Sequence, residues 1–113
     1  MHELSLCRSL LDIINEHVAG KHFKCIKKVT LNVGQLAAVD ESALRFGFEI
    51  VTKGTLAEGA ALDIITVEGQ AICNVCHQCV KLEHYYDACQ KCGQFSLTVT
   101  QGEELRIQSM EVV

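Results

Sequence analysis

Apolar residues at Leu4, Cys7, Leu11, Ile14 and Val18 recur every three or four positions, with Arg8, Asp12, Asn15 and Glu16 between them. That spacing matches the turn of an α-helix, so the segment predicts an amphipathic helix that ends at Gly20 and Lys21. From 26 to 33 the period shortens to two. Val29, Leu31 and Val33 alternate there with Lys28, Thr30 and Asn32, as a half-buried strand requires. Gly34 and Gln35 open a loop. Asp40 then stands in N-cap position ahead of Ala43, Leu44, Gly47, Phe48 and Val51, which share one face of a second, shorter helix. Gly54 and Gly59 bracket a connection into a β-branched run from 62 to 68. After a cysteine-rich stretch, Phe95, Leu97 and Val99 alternate with Ser96, Thr98 and Thr100; Gly102 breaks that strand and 105–112 forms the last. The predicted fold is α+β: a small mixed sheet packed with two helices, formed by 1–69 and 103–113, with a zinc-ribbon-like module, 70–102, looped out between two strands.

Composition narrows the class of protein. A chain of 113 residues, 49% hydrophobic, holds a modest core and is not disordered, but a metal staple would help to fasten an outlying segment. The longest run free of Asp, Glu, Lys and Arg is 12 residues, 69 to 80, too short for a membrane helix. No basic-then-apolar leader opens the sequence. Seven cysteines without an export signal suit a reducing compartment, so a cytoplasmic protein is expected. A net charge of −4 argues against nucleic-acid binding, which clustered Lys and Arg drive. Between 73 and 92, Lys81 and Lys91 are balanced by Glu83 and Asp87, and a zinc ion with four thiolates would add further negative charge.

The cysteines carry the clearest chemistry. Cys73-Asn-Val-Cys76 and Cys89-Gln-Lys-Cys92 are two CxxC pairs, and two residues between cysteines let a tight turn aim both thiolates at one ion. Four thiolates close the tetrahedron of Zn(II) and leave no position for water or substrate, so the site is structural and the activity lies elsewhere. Cys79 extends the first pair to CxxCxxC, the start of an iron–sulfur run, but position 83 is Glu where that run needs its next cysteine. Cys79 therefore reads as a spare thiol, and Cys7 and Cys25 as small core residues. His77 and His84 sit close enough in sequence to act around the metal or to replace a protonated thiol, although exposed loop histidines need no such role. His17 and His22 suit the negative end of the first helix.

A second metal chemistry is available at the start, Met1-His2-Glu3. The α-amine, the His2 ring and the deprotonated backbone nitrogens between them can form a planar nitrogen array, which suits Ni(II) or Cu(II) and disfavours tetrahedral zinc. These ligands must lose protons first, so such a site weakens as pH falls through neutrality. On residue chemistry alone, a histidine at position two is more often an incidental surface residue than a ligand.

The opening MHELSLCRSLLDII, the stretch VTLNVGQLAAVDESALRFGFEIVTKGTLAEGAALDI, the paired CxxC and the tail LRIQSMEV together resemble the HypA/HybF family of hydrogenase nickel-incorporation proteins, over essentially the whole chain. The resemblance implies a metallochaperone without catalysis, which carries Ni(II) as cargo toward the [NiFe]-hydrogenase large subunit with the GTPase HypB. It places the nickel ligand on His2, with the Met1 amine and the backbone around Glu3 completing the site and Glu3 and Asp40 as acidic neighbours. It places structural Zn(II) on Cys73, Cys76, Cys89 and Cys92. Gln90 stands where the family often has proline, and Cys79 where an apolar residue is usual; neither is a ligand. Some members also serve urease maturation. The competing readings are a zinc-ribbon interaction adaptor with no nickel role and an iron–sulfur electron carrier. Hydrolase and transferase motifs are missing: there is no GxSxG elbow, phosphate-cradling glycine loop or HExxH.

Overall fold

A computed structural model describes residues 3–113. Its elements run α1 (Glu3–Val18), β1 (Ile26–Gly34), a single 3₁₀ turn (Gln35–Ala37), α2 (Glu41–Val51), β2 (Ala61–Val67), β3 (Gln70–Cys73), β4 (Cys79–Lys81), β5 (Leu97–Gln101) and β6 (Leu105–Val112). The strands form two three-stranded sheets, ordered β2-β1-β6 and β4-β3-β5. The chain divides into two compact units. One comprises Met1–Leu31, Val39–Ile64 and Arg106–Val113, and the other Asn32–Ala38 and Ile65–Leu105. This is the expected α+β fold, with a cysteine cluster lying between strands of the second sheet.

The first unit is built by helix burial. α1 buries Leu6, Cys7, Leu10, Ile14 and Val18, while Leu4 and Leu11 are half-buried. The buried stripe is therefore rotated from the one that Leu4 and Leu11 suggested, because this helix carries apolar residues over a wide arc and spacing alone does not fix the centre of the arc. Gly20, at φ +74°, closes the helix in the left-handed C-terminal position that glycine fills without strain. Asp40 caps α2 as expected: its Oδ1 accepts from the Ala43 N–H at 3.1 Å. α2 packs on α1 through Leu44, Gly47 and Phe48. A Cβ on Gly47 would stand 3.0 Å from the Cys7 sulfur, so a missing side chain sets how closely the helices approach. Each fully buried aliphatic side chain here contributes about 1.5–3 kcal/mol. Arg45 fastens α2 to β2 by donating to the Leu62 carbonyl, and Lys28 pairs with Asp63 across β1 and β2 at 2.9 Å.

The second unit has a smaller core: Leu36, Ala71, Cys73, Val80, Leu82 and Cys89 are buried, with Cys76, Leu97 and Val99 packed on them. β3 pairs antiparallel with β4 (Ala71 opposite Val80) and with β5 (Cys73 opposite Leu97). β3 and β4 were not anticipated. They are four and three residues long, and their alternation runs into cysteine turns before a period of two can register. The 3₁₀ turn brings in Leu36, whose N–H donates to the Gly102 carbonyl at 2.8 Å. Gly102 has φ +104°, and a Cβ there would lie 2.5 Å from the Gly69 Cα, so only glycine fits this backbone crossing. Among the described residues, no helix is long and apolar enough to cross a membrane.

Candidate metal centre

Two copies of one backbone turn build the centre. In the first, the Cys73 N–H donates to the Gln78 carbonyl at 3.0 Å and the His77 N–H to the Cys73 carbonyl at 2.9 Å. In the second, the Cys89 N–H donates to the Gln94 carbonyl at 2.8 Å and the Gly93 N–H to the Cys89 carbonyl at 2.8 Å. Each turn needs a left-handed residue just after its second cysteine. His77 takes that position at φ +58° and Gly93 at φ +79°. Glycine is free to do so, whereas an L-residue is strained by about 1–2 kcal/mol, so the first turn is the costlier of two similar parts.

The turns converge. The sulfur atoms of Cys73, Cys76, Cys89 and Cys92 all lie within 4.8 Å of one another, with Cys73 to Cys92 at 3.5 Å and Cys76 to Cys89 at 3.7 Å. Tetrahedral ligands bonded to zinc at about 2.3 Å would stand roughly 3.8 Å apart, so this donor set fits Zn(II) in both chemistry and spacing. Cys73 and Cys89 are buried, while Cys92 is exposed and Cys76 half-buried. Among the described residues this cluster contains no histidine, and it omits Cys79, which is exposed on β4. His84 instead stacks on Tyr86, with ring centres 4.8 Å apart, and stands 3.6 Å from Asp87.

Within the protein alone, the four thiols divide into two classes. The Cys76 N–H at 3.5 Å and the Val75 N–H at 3.4 Å point at the Cys73 sulfur, and against the opposing effect of burial they lower its pKa to about 6. Burial works against the Cys89 thiolate, but the N–H groups of Cys92 and Lys91 outweigh it and the pKa falls. The Gln94 N–H favours a Cys92 thiolate, yet burial and hydrogen bonding to Cys73 and Cys89 prevail and push its pKa up to about 12. Cys76 moves up for the same reasons, against the Gln78 N–H. One sulfur of each turn is thus shifted toward its thiolate and the other toward its thiol.

Of the other predicted site residues, Glu3 and Asp40 belong to the first unit. Met1 and His2 lie outside the described residues. Glu3 is half-buried in the first turn of α1, and its charge adds to burial in raising the pKa of Cys7, whose thiol donates to the Leu44 carbonyl at 3.2 Å. Asp40 is engaged as the α2 cap. Sequence reasoning missed the polar brace beside the first turn: Asn74 donates to Ser96 at 3.2 Å and accepts from the Thr98 hydroxyl at 3.0 Å. No spacing rule marks such a brace, because its partners are more than twenty residues apart.

A family model described as HypA, hydrogenase/urease nickel incorporation, metallochaperone, matches residues 1–112. The chain is 48% identical over 112 residues to the hydrogenase maturation factor HypA of Legionella pneumophila and 50% identical over 112 residues to that of Acidithiobacillus ferrooxidans, covering 99% of both chains in each pairing. Its fold is similar to the solution structure of the Ni metallochaperone HypA from Helicobacter pylori, with a TM-score of 0.72 and 30% identity, covering 100% of this chain and 98% of that one. A second solution structure of a HypA protein matches at a TM-score of 0.69 and 31% identity, over 100% and 97% of the two chains.

Proposed function

This chain belongs to the HypA family of hydrogenase/urease nickel-incorporation metallochaperones, and we propose that it carries Ni(II) on Met1 and His2 while a zinc ion stays fixed in the sulfur cluster. A nickel-chaperone role in hydrogenase maturation, and not an enzymatic one, follows from the family. The finer assignments are our reading. Cys73, Cys76, Cys89 and Cys92 hold Zn(II), whose contribution is to join two turns that the small apolar cluster would not secure alone. Nickel is bound by the α-amine of Met1, the His2 ring and backbone nitrogens up to Glu3.

The observation that carries this reading is the closed sulfur set: four convergent thiols leave a cargo ion no place there, and a nitrogen-rich site suits nickel better than one built of thiolates. The position of Glu3 supports it. α1 begins at Glu3, and the first N–H groups of a helix have no intrahelical partner, so deprotonating the Glu3 nitrogen for a metal breaks no helix bond. Glu3 would place negative charge beside a bound cation, and the resemblance to the family makes Asp40 a second acidic candidate. Delivery proceeds to the [NiFe]-hydrogenase large subunit with the GTPase HypB, in a cytoplasmic setting, and urease maturation is a second destination open to the family.

The test is to titrate Ni(II) into zinc-loaded protein with and without a short N-terminal extension. The extension removes the α-amine from the chelate and is expected to weaken nickel binding at least about tenfold while zinc stays bound. Undiminished nickel affinity would overturn the terminal site. Displacement of zinc by the first equivalent of nickel would overturn the division between the two metals.

A further inference from the structure

The second unit keeps its aromatic residues outside. Tyr85 is 59% and Tyr86 74% exposed, although they lie side by side in a well-tied turn. Asp87 builds that turn: its Oδ2 accepts from the N–H groups of Glu83 and His84, each at 3.0 Å, and its own N–H donates to the His84 carbonyl at 3.1 Å. His84 stacks on Tyr86 and stiffens it further. The hydroxyl of Tyr85 donates to Oε2 of Glu103 at 2.5 Å, which fixes the ring beside an open depression of about 390 Å³ lined by Thr100, Gln101, Glu103 and Glu104. Two exposed aromatic rings held in one orientation forgo burial that a small core could use. Such anchors are characteristic of interaction surfaces.

Charge selects the occupant. This unit carries five acidic side chains against two basic ones, Lys81 and Lys91, whereas the other carries nine against eight. Lys81 pairs with Glu68 at 3.7 Å, and the Glu103 oxygen facing Tyr85 accepts from a neutral hydroxyl. A planar aromatic face beside a carboxylate is a receptor for a guanidinium or ammonium group, which gains from the ring quadrupole and the anion together. We propose that the 83–87 turn and the depression beside Glu103 form a docking surface for a basic segment of a protein partner, with an arginine or lysine side chain laid on the Tyr85 ring and its charge against Glu103. The surface is independent of the nickel site, so either reading can fail without the other.

The experiment follows amide resonances of the zinc-loaded full chain while a short peptide of alternating arginine and glycine is added, with the matching glutamate–glycine peptide as control. Saturable shifts confined to 83–87 and 100–104, suppressed by high salt, are expected with the arginine peptide alone. Tyr85→Ala and Glu103→Gln are each expected to weaken binding about three- to fivefold, with zinc content unchanged, whereas Phe46→Ala, an exposed aromatic of the other unit, leaves it intact. Equal response to the glutamate peptide, shifts spread over acidic residues of both units, or equal weakening by Phe46→Ala would overturn the proposal. So would a preference for anionic vesicles or single-stranded RNA over the arginine peptide.

Discussion

The two units bury different materials. The first fills its interior with Leu6, Leu10, Ile14, Ile26, Val29, Leu31, Leu44 and Phe48, drawn from two helices and a strand. The second buries a cluster of six residues, two of them cysteines and one an alanine. The contrast shows where each element of stability resides. Hydrophobic transfer sustains the helical unit, whereas the sheet of the cysteine unit is too short to bury comparable area, and on the proposed reading a metal joins its turns.

The strongest way to break this contrast is to remove zinc. Chelation, or Cys73→Ser, is expected to abolish the dispersed resonances of 65–105 while the helical circular dichroism of α1 and α2 persists, since a structural zinc site contributes on the order of 10 kcal/mol or more of binding free energy. Loss of the helices as well would show that the units do not differ in this way. The converse substitution, Leu44→Ala, is expected to destabilise the helical unit by about 2–5 kcal/mol in urea unfolding and to leave zinc stoichiometry untouched.

Acidity sharpens the contrast next. A zinc ion in the cluster would hold four thiolates, whereas within the protein alone Cys76 and Cys92 are shifted toward their protonated forms, so the bound state would carry fewer protons. Stability due to zinc is therefore expected at neutral pH and above and declines as pH falls, with proton release from Cys76 and Cys92 on binding. Calorimetry in buffers of different ionisation enthalpy measures that release. Cys73 alone follows the same sign: its depressed pKa stabilises the fold at high pH, and the contribution is lost as pH falls through about 6.

Smaller effects separate roles within each unit. Asp40→Ala is expected to cost about 1 kcal/mol by uncapping α2, while Asp40→Asn keeps the cap and changes stability little. Nickel affinity that falls in Asp40→Asn with stability unchanged would assign the carboxylate to the cargo site; unchanged affinity would leave it a cap. In the cysteine unit, His77→Gly is expected to stabilise the zinc-bound form by up to about 1 kcal/mol, because it relieves the left-handed strain that Gly93 does not have. Thermal unfolding of the zinc-loaded variant checks it.

Much of this was legible in the chain. Asp40 announced its helix because a cap is a local device, and β6 was readable from end to end because a strand of eight residues displays its period. The four cysteines converged as their spacing required. What escaped notice depends on groups that meet only in three dimensions. The wide apolar arc of α1 does not fix the phase of its buried stripe, and the cysteines that end the short strands β3 and β4 hide their period. The crossing of Gly69 and Gly102 and the left-handed strain at His77 have no periodic trace. The proposed nickel ligands Met1 and His2 come from residue chemistry and family.

Cys73 and Cys89 belong at once to the sulfur shell and to the apolar cluster. A ligand anchored in this way cannot swing off its metal alone; each departure must also part Leu36, Val80 and Leu82. Zinc exchange at the proposed site would then be timed by the opening of the unit and not by the strength of one Zn–S bond. An ion held by the proposed α-amine and imidazole ligands would face no such delay. On the proposed assignment of nickel to Met1 and His2, the two metals would be kept apart by their clocks as well as by their ligands.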